Sequence, residues 1–187
     1  MVVVKNLYPF LATTNPVKAD ILVVEGWLPD SAIEAAIAEF QQGEYQQIMV
    51  TGGPIPQGSY LLKYKTYAEL AAATLLALGL DSAKVVTVPA PYVIKDRTFT
   101  AANALKQKLC DSISTVQAIN LLTLSVHARR SQYVYQKALG PEVEVGVISI
   151  NDPSYDSTRW WSSSSGFKWV MIEAISYLYI RLFNLDA

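Results

Sequence analysis

Residues 119–140 read INLLTLSVHARRSQYVYQKALG. The first six, Ile119–Leu124, are apolar at four positions, which suits a strand covered on both faces. From Val126 the pattern turns helical and runs to Leu139, where Gly140-Pro141 stops it. A strand that feeds straight into a helix is half of a βαβ unit, and the same alternation recurs in both directions. Apolar runs at Ile21–Glu25, Gln47–Thr51, Lys84–Val88 and Val143–Ile148 predict the other strands. Ser31–Gln42, Leu61–Leu78 and Thr98–Leu109 predict helices between them, with Ser31 and Glu34 as a capping box and Gly79 as a stop. This alternation predicts an α/β fold: a five-stranded parallel sheet with right-handed crossovers, a Rossmann-like three-layer sandwich.

The 187 residues fit one domain, with the sandwich over 19–150 and a C-terminal loop and helix over 151–187. Hydrophobic residues make up 51% and charged residues 17%, which excludes intrinsic disorder because enough apolar surface is there to bury. Fifteen Lys and Arg against sixteen Asp and Glu give a net charge of −1. No global field favours nucleic acid, no basic aromatic surface is visible, and any anion site must be local. The single cysteine, Cys110, excludes an internal disulfide framework, and the single histidine, His127, excludes His-rich metal sites. A metal would have only oxygen ligands such as Glu25, Glu69, Asp96, Asp152 and Asp156, and no spacing singles out such a site.

The N-terminal residues do not read as a signal peptide, because Lys5, Asn6 and Pro9 interrupt the short apolar start. The chain as given reads as cytoplasmic, with a membrane-associated or envelope placement as the alternative. Phe167–Phe183 is the most hydrophobic stretch, but it carries Lys168, Glu173 and Arg181 and falls short of the ~20 residues of a spanning helix. It is expected to pack into the domain; the alternatives are contact with a membrane surface or a dimer face. The preceding loop, Asn151–Gly166, carries Trp160 and Trp161 and is long enough to act as a lid.

Ligands of open parallel sheets bind beyond the carboxyl ends of the strands. Here those ends carry Glu25-Gly26-Trp27, Thr51-Gly52-Gly53, the run Lys95 to Thr98, the run Ser125 to Arg130, and Asn151 with Asp152. Ser125 is expected to cap the fourth helix. His127 would then sit among free N–H groups at the positive end of the helix dipole, biased toward its neutral form and able to act as a general base. Arg129 and Arg130 would add cationic donors for a phosphate or carboxylate. Gly52 and Gly53 would let backbone approach a ligand, although neither a Walker loop nor G-x-G-x-x-G is present. Arg97 and Thr98 open the third helix and offer a second anion contact. Asp96 is placed to orient His127 or Arg130, or to cap its own helix. Glu69 either pairs with Lys65 or aims at the crevice. No G-x-S-x-G elbow is present, and the lone histidine does not come last as in an α/β-hydrolase triad.

These residues resemble the YdcF/SanA/ElyC-like family (DUF218) of bacterial proteins. The likeness rests on Ala19-Asp20-Ile-Leu-Val-Val, Thr51-Gly52-Gly53, Arg97-Thr98, and Ser125-Val-His127-Ala-Arg-Arg130-Ser, and spans roughly residues 19–150. It implies a Rossmann-like sheet of order 3-2-1-4-5, which would place Gly26, Trp27 and His127 in one pocket, and it matches Glu69 to a glutamate on the second helix. The sequence departs from the family at Glu25-Gly26-Trp27 and at Phe99-Thr100-Ala101, where a glutamate and an asparagine are missing. The family is linked to the bacterial envelope, and one branch to S-adenosylmethionine.

Three readings follow. The first is a protein binding an anionic, phosphorylated or nucleotide-like small molecule, with His127 as acid/base and Arg130 and Arg97 holding the anion. The second is a non-catalytic, envelope-associated ligand sensor that contacts a membrane through its C-terminal helix. The third is S-adenosylmethionine binding, which lacks an acidic residue after the second strand to hold a ribose.

Overall fold

A computed structural model describes residues 2–58, 60–111 and 116–183. Five parallel strands, β1 (Ile21–Glu25), β2 (Gln47–Gly52), β3 (Val85–Pro89), β4 (Ala118–Leu124) and β5 (Glu144–Ile150), form one sheet in the order β3-β2-β1-β4-β5. Alternate side chains of each strand enter opposite layers. Leu22, Val24, Ile48, Val50 and Leu122 pack against Ala32, Ile33 and Ala36 of α2 (Asp30–Gln42) and Ala71, Ala72 and Leu75 of α3 (Tyr67–Ala77). On the other face Ile21, Val23, Met49, Ile119 and Leu121 meet Ala102 and Leu105 of α4 (Arg97–Cys110) and Tyr135 and Ala138 of α5 (Ala128–Leu139). The fold is therefore the Rossmann-like α/β sandwich expected from the alternation of strands and helices.

Two helices lie outside that pattern. α1 (Val2–Leu11) was not legible as a helix, and it packs on α6 (Ser164–Leu182) and on the turn after β4. Together they close the carboxyl edge of the sheet over a third apolar cluster of Leu11, Val126, Tyr155, Trp160 and Val170. Tyr155 and Trp160 come from the 151–166 loop. Instead of standing free as a lid, that loop is pinned by its buried aromatics, and 157–162 winds into a 3-10 turn capped by Asp156.

Several local expectations are corrected. α2 starts at Asp30 after Pro29 with no side-chain cap bond, so Ser31 and Glu34 form no capping box. The capping box belongs to α3, which starts at Tyr67 and not at Leu61. Thr66 Oγ1 accepts from Glu69 N at 3.1 Å, and Glu69 Oε2 accepts from Thr66 N at 2.9 Å. Lys84 falls in a 3-10 turn ahead of β3. A 3-10 turn over Ser125–His127 also precedes α5.

Candidate functional site

The connections from β1 and β4 diverge in opposite directions, and between them lies a cavity of about 80 Å3. Trp27 follows β1 and His127 follows β4, and their ring centroids are 4.7 Å apart. The Trp169 ring of α6 lies 6.0 Å from the imidazole. Ser125, Asp152 and Tyr155 complete the polar part of the wall.

His127 Nδ1 lies 3.0 Å from Glu173 Oε1. With its proton on Nδ1, His127 donates to Glu173 and the lone pair lies on Nε2; Arg130 Nη2 lies 3.2 Å from the same Nδ1 and itself donates to Glu173 Oε1. Arg130 grips the same carboxylate with Nε at 2.6 Å and Nη2 at 3.0 Å, and its Nη1 donates to Thr98 Oγ1 at 3.3 Å. Glu173 is 3% exposed. Burial alone would raise its pKa, but the hydrogen bonds from His127 and Arg130 overcome that and hold it at about 2. A dyad of this kind fixes the tautomer and direction of an imidazole, which is what a general acid/base needs.

Ser125 does not cap α5. It occupies the left-handed region at φ 49°, and its hydroxyl shares hydrogen bonds with Tyr8 at 3.0 Å and Tyr155 at 2.9 Å. Burial pushes the Tyr155 phenol up to about 12, so it stays protonated and available as a donor.

The other expected residues do different work. Arg130 has its charge matched by Glu173. Arg129 turns away, donating from Nε to the Phe10 carbonyl at the end of α1 and lying over the Phe10 ring at 4.1 Å, where a cation meets the negative end of a helix. Arg97 is exposed at the start of α4. Asp96 sits at the N-cap of α4 in the left-handed region at φ 59°. It makes no side-chain cap bond, and its carbonyl accepts from Thr100, so it does not orient His127. Glu69 is the capping-box carboxylate. Bonds from the Lys65 and Thr66 N–H groups lower its pKa, and it does not reach the dyad.

Thr51 is buried and shares a 2.7 Å hydrogen bond with Tyr135. The glycines admit a helix, not a ligand. A Cβ on Gly26 would come within 2.6 Å of the Tyr67 carbonyl oxygen, and one on Gly52 within 2.8 Å of Ala68 N, so both seat the start of α3. Gly53 has nothing nearer than 3.9 Å. Trp27 and His127 thus share a cavity as expected, and Gly26 does not line it.

Sequence reasoning missed Glu173, Trp169, Tyr155 and Tyr8. Glu173 left a signal: it is the one carboxylate in the most apolar stretch of the chain, where a charge persists only if paired. Tyr8 left none, because α1 lacks a readable helical pattern.

Fold and site together define a Rossmann-like α/β protein with a histidine–carboxylate dyad at the topological switch point of its sheet. No protein-family model matches the chain, and no curated protein is significantly similar to it.

Proposed function

We propose that the chain binds a small phosphorylated or nucleotide-like molecule at the carboxyl edge of the sheet, and that His127 moves a proton in its hydrolysis or group transfer. The observation that carries this is the 3.0 Å contact between His127 Nδ1 and Glu173, made by an imidazole that lines a cavity at the switch point. Nε2 takes a proton from the attacking water or hydroxyl and returns it to the leaving group. A cavity of about 80 Å3 suits a phosphoryl-sized group, with a planar or sugar part lying against Trp27 and Trp169, both of which are partly open to solvent. Because Glu173 neutralises Arg130, polar contact to the ligand falls to His127, Ser125 and Tyr155 in the cavity wall. The likeness of Ser125-Val-His127 to the YdcF/SanA/ElyC-like motif supports the same reading.

The test is a panel of phosphate esters and nucleotides, followed by thermal shift and by turnover. A ligand that binds the folded state raises the melting temperature. His127→Asn should keep that shift and lose about a hundredfold or more in turnover. Turnover at the wild-type rate in His127→Asn, or no shift with any member of the panel, overturns the proposal. A shift without turnover in the wild type would mark a ligand-sensing protein.

A further inference from the structure

The helix that supplies Glu173 is built inside out for water. α6 turns Gly166, Val170, Glu173 and Ile180 inward. It sends Ile172, Ile175, Leu178, Tyr179 and Leu182 outward, followed by Phe183 at its C-cap, with Ile175 62% and Leu182 74% exposed. These side chains recur at spacings of three and four, so they form one continuous stripe. Exposed apolar area of this extent marks a contact surface.

The exposed charges of α1 and α6 have one sign. Glu173 is the sole carboxylate of α1 and α6, and it is buried against Arg130. The exposed charges of α6 are Lys168 and Arg181, and α1 adds Lys5. Among the described residues, the large exposed apolar side chains that lie outside α1, α6 with its C-cap, and the carboxyl-edge loops are Leu70 and Leu76 of α3 and Leu78 at its C-cap. The apolar exposure is therefore concentrated at one end of the molecule.

We propose that the outward face of α6 lies in the surface of an anionic lipid bilayer, with the helix axis in the membrane plane. An apolar stripe flanked by cations is the pattern of interfacial helices, whose aromatic residues sit at headgroup level. Tyr179 and Phe183, with ring centroids 5.1 Å apart, are placed for this role. No helix among the described residues is long and apolar enough to cross a membrane. A second copy of the chain would present the same cations to the stripe, whereas anionic headgroups complement them. The inference stands apart from the proposed reaction, because no residue of the stripe lines the cavity.

The test is co-sedimentation of the full chain with vesicles of phosphatidylcholine alone and of phosphatidylcholine mixed with phosphatidylglycerol. The wild type should pellet with the mixed vesicles, less with the neutral ones, and less again at high salt. Ile175→Glu with Leu178→Glu should lower the bound fraction about tenfold or more. Ile175→Ser with Leu178→Ser should lower it without adding charge, and circular dichroism and melting show that each variant is folded. A wild type that stays in the supernatant with both vesicle types overturns the proposal. If that soluble wild type is a dimer that the Glu variant turns into a monomer, the stripe is instead a surface between copies of the chain.

Discussion

Glu173 receives both arms of the Arg130 guanidinium, Nε at 2.6 Å on one carboxylate oxygen and Nη2 at 3.0 Å on the other. This fork joins α6 to α5, and His127 leans on the same carboxylate. Removing the carboxylate therefore does two things. Glu173→Ala should cost about 3 kcal/mol of stability, because a partly buried guanidinium loses its partner. Glu173→Gln keeps the volume but no longer fixes the His127 tautomer, so turnover of any substrate should fall about a hundredfold or more. Urea denaturation and steady-state kinetics measure the two effects separately.

Acid should weaken the fold through the same residue. The folded-state pKa of Glu173, about 2, lies below the ordinary value of 4.5. A carboxyl group lowered on folding contributes its full stability above its unfolded pKa and loses it as pH falls through the folded one. The difference in unfolding free energy between wild type and Glu173→Gln should therefore shrink as pH falls from about 4.5 toward 2. Asp156 is also held at about 2, by Thr158 and Arg159, but it is present in both proteins and cancels. A pH-independent difference would show that the ion pair does not govern this window.

The glycines after β1 and β2 offer a test of packing against ligand approach. Gly26→Ala and Gly52→Ala each push a methyl group into the backbone at the start of α3 and should cost about 1–3 kcal/mol. Gly53→Ala has room and should change stability by less than about 0.5 kcal/mol. Thermal unfolding of the three variants gives the order. If Gly53→Ala proves the most damaging, the assignment of Gly26 and Gly52 to helix seating fails.

Thr66 and Glu69 should behave as a cap. Thr66→Ala should lower stability by about 1 kcal/mol, and Glu69→Gln, which preserves the capping geometry, should change it little. Turnover should be unaffected in Glu69→Gln, since this carboxylate is committed to the Lys65 and Thr66 N–H groups. A large kinetic defect in that variant would return Glu69 to the reacting centre.

The sheet was legible because parallel strands covered on both faces leave continuous apolar runs, and all five runs fell within two residues of the observed strands. Helix starts were harder to read. The Leu61 to Thr66 segment has apolar residues at helical spacing, yet the bonds between Thr66 and Glu69 set the true start at Tyr67. The location of the site was readable from topology, since His127 and Trp27 meet where connections diverge. The partners of His127 were not. A search for charge partners among neighbouring turns finds Asp96 and Glu69, whereas the carboxylate comes from α6, whose inward face is fixed only by tertiary packing. Arg129 and Arg130 show the same limit: adjacent in sequence, they point to α1 and to α6 respectively.

Because residue 173 lies beyond the last strand, the order of synthesis matters. All five strands have emerged once residue 150 is free, so the sandwich is able to assemble while the chain is still growing. At that stage both the imidazole and the Arg130 guanidinium lack the Glu173 carboxylate. The contact between His127 and Glu173 forms only when the final helix docks, so a nascent or proteolytically shortened chain should hold its sheet yet lack the dyad.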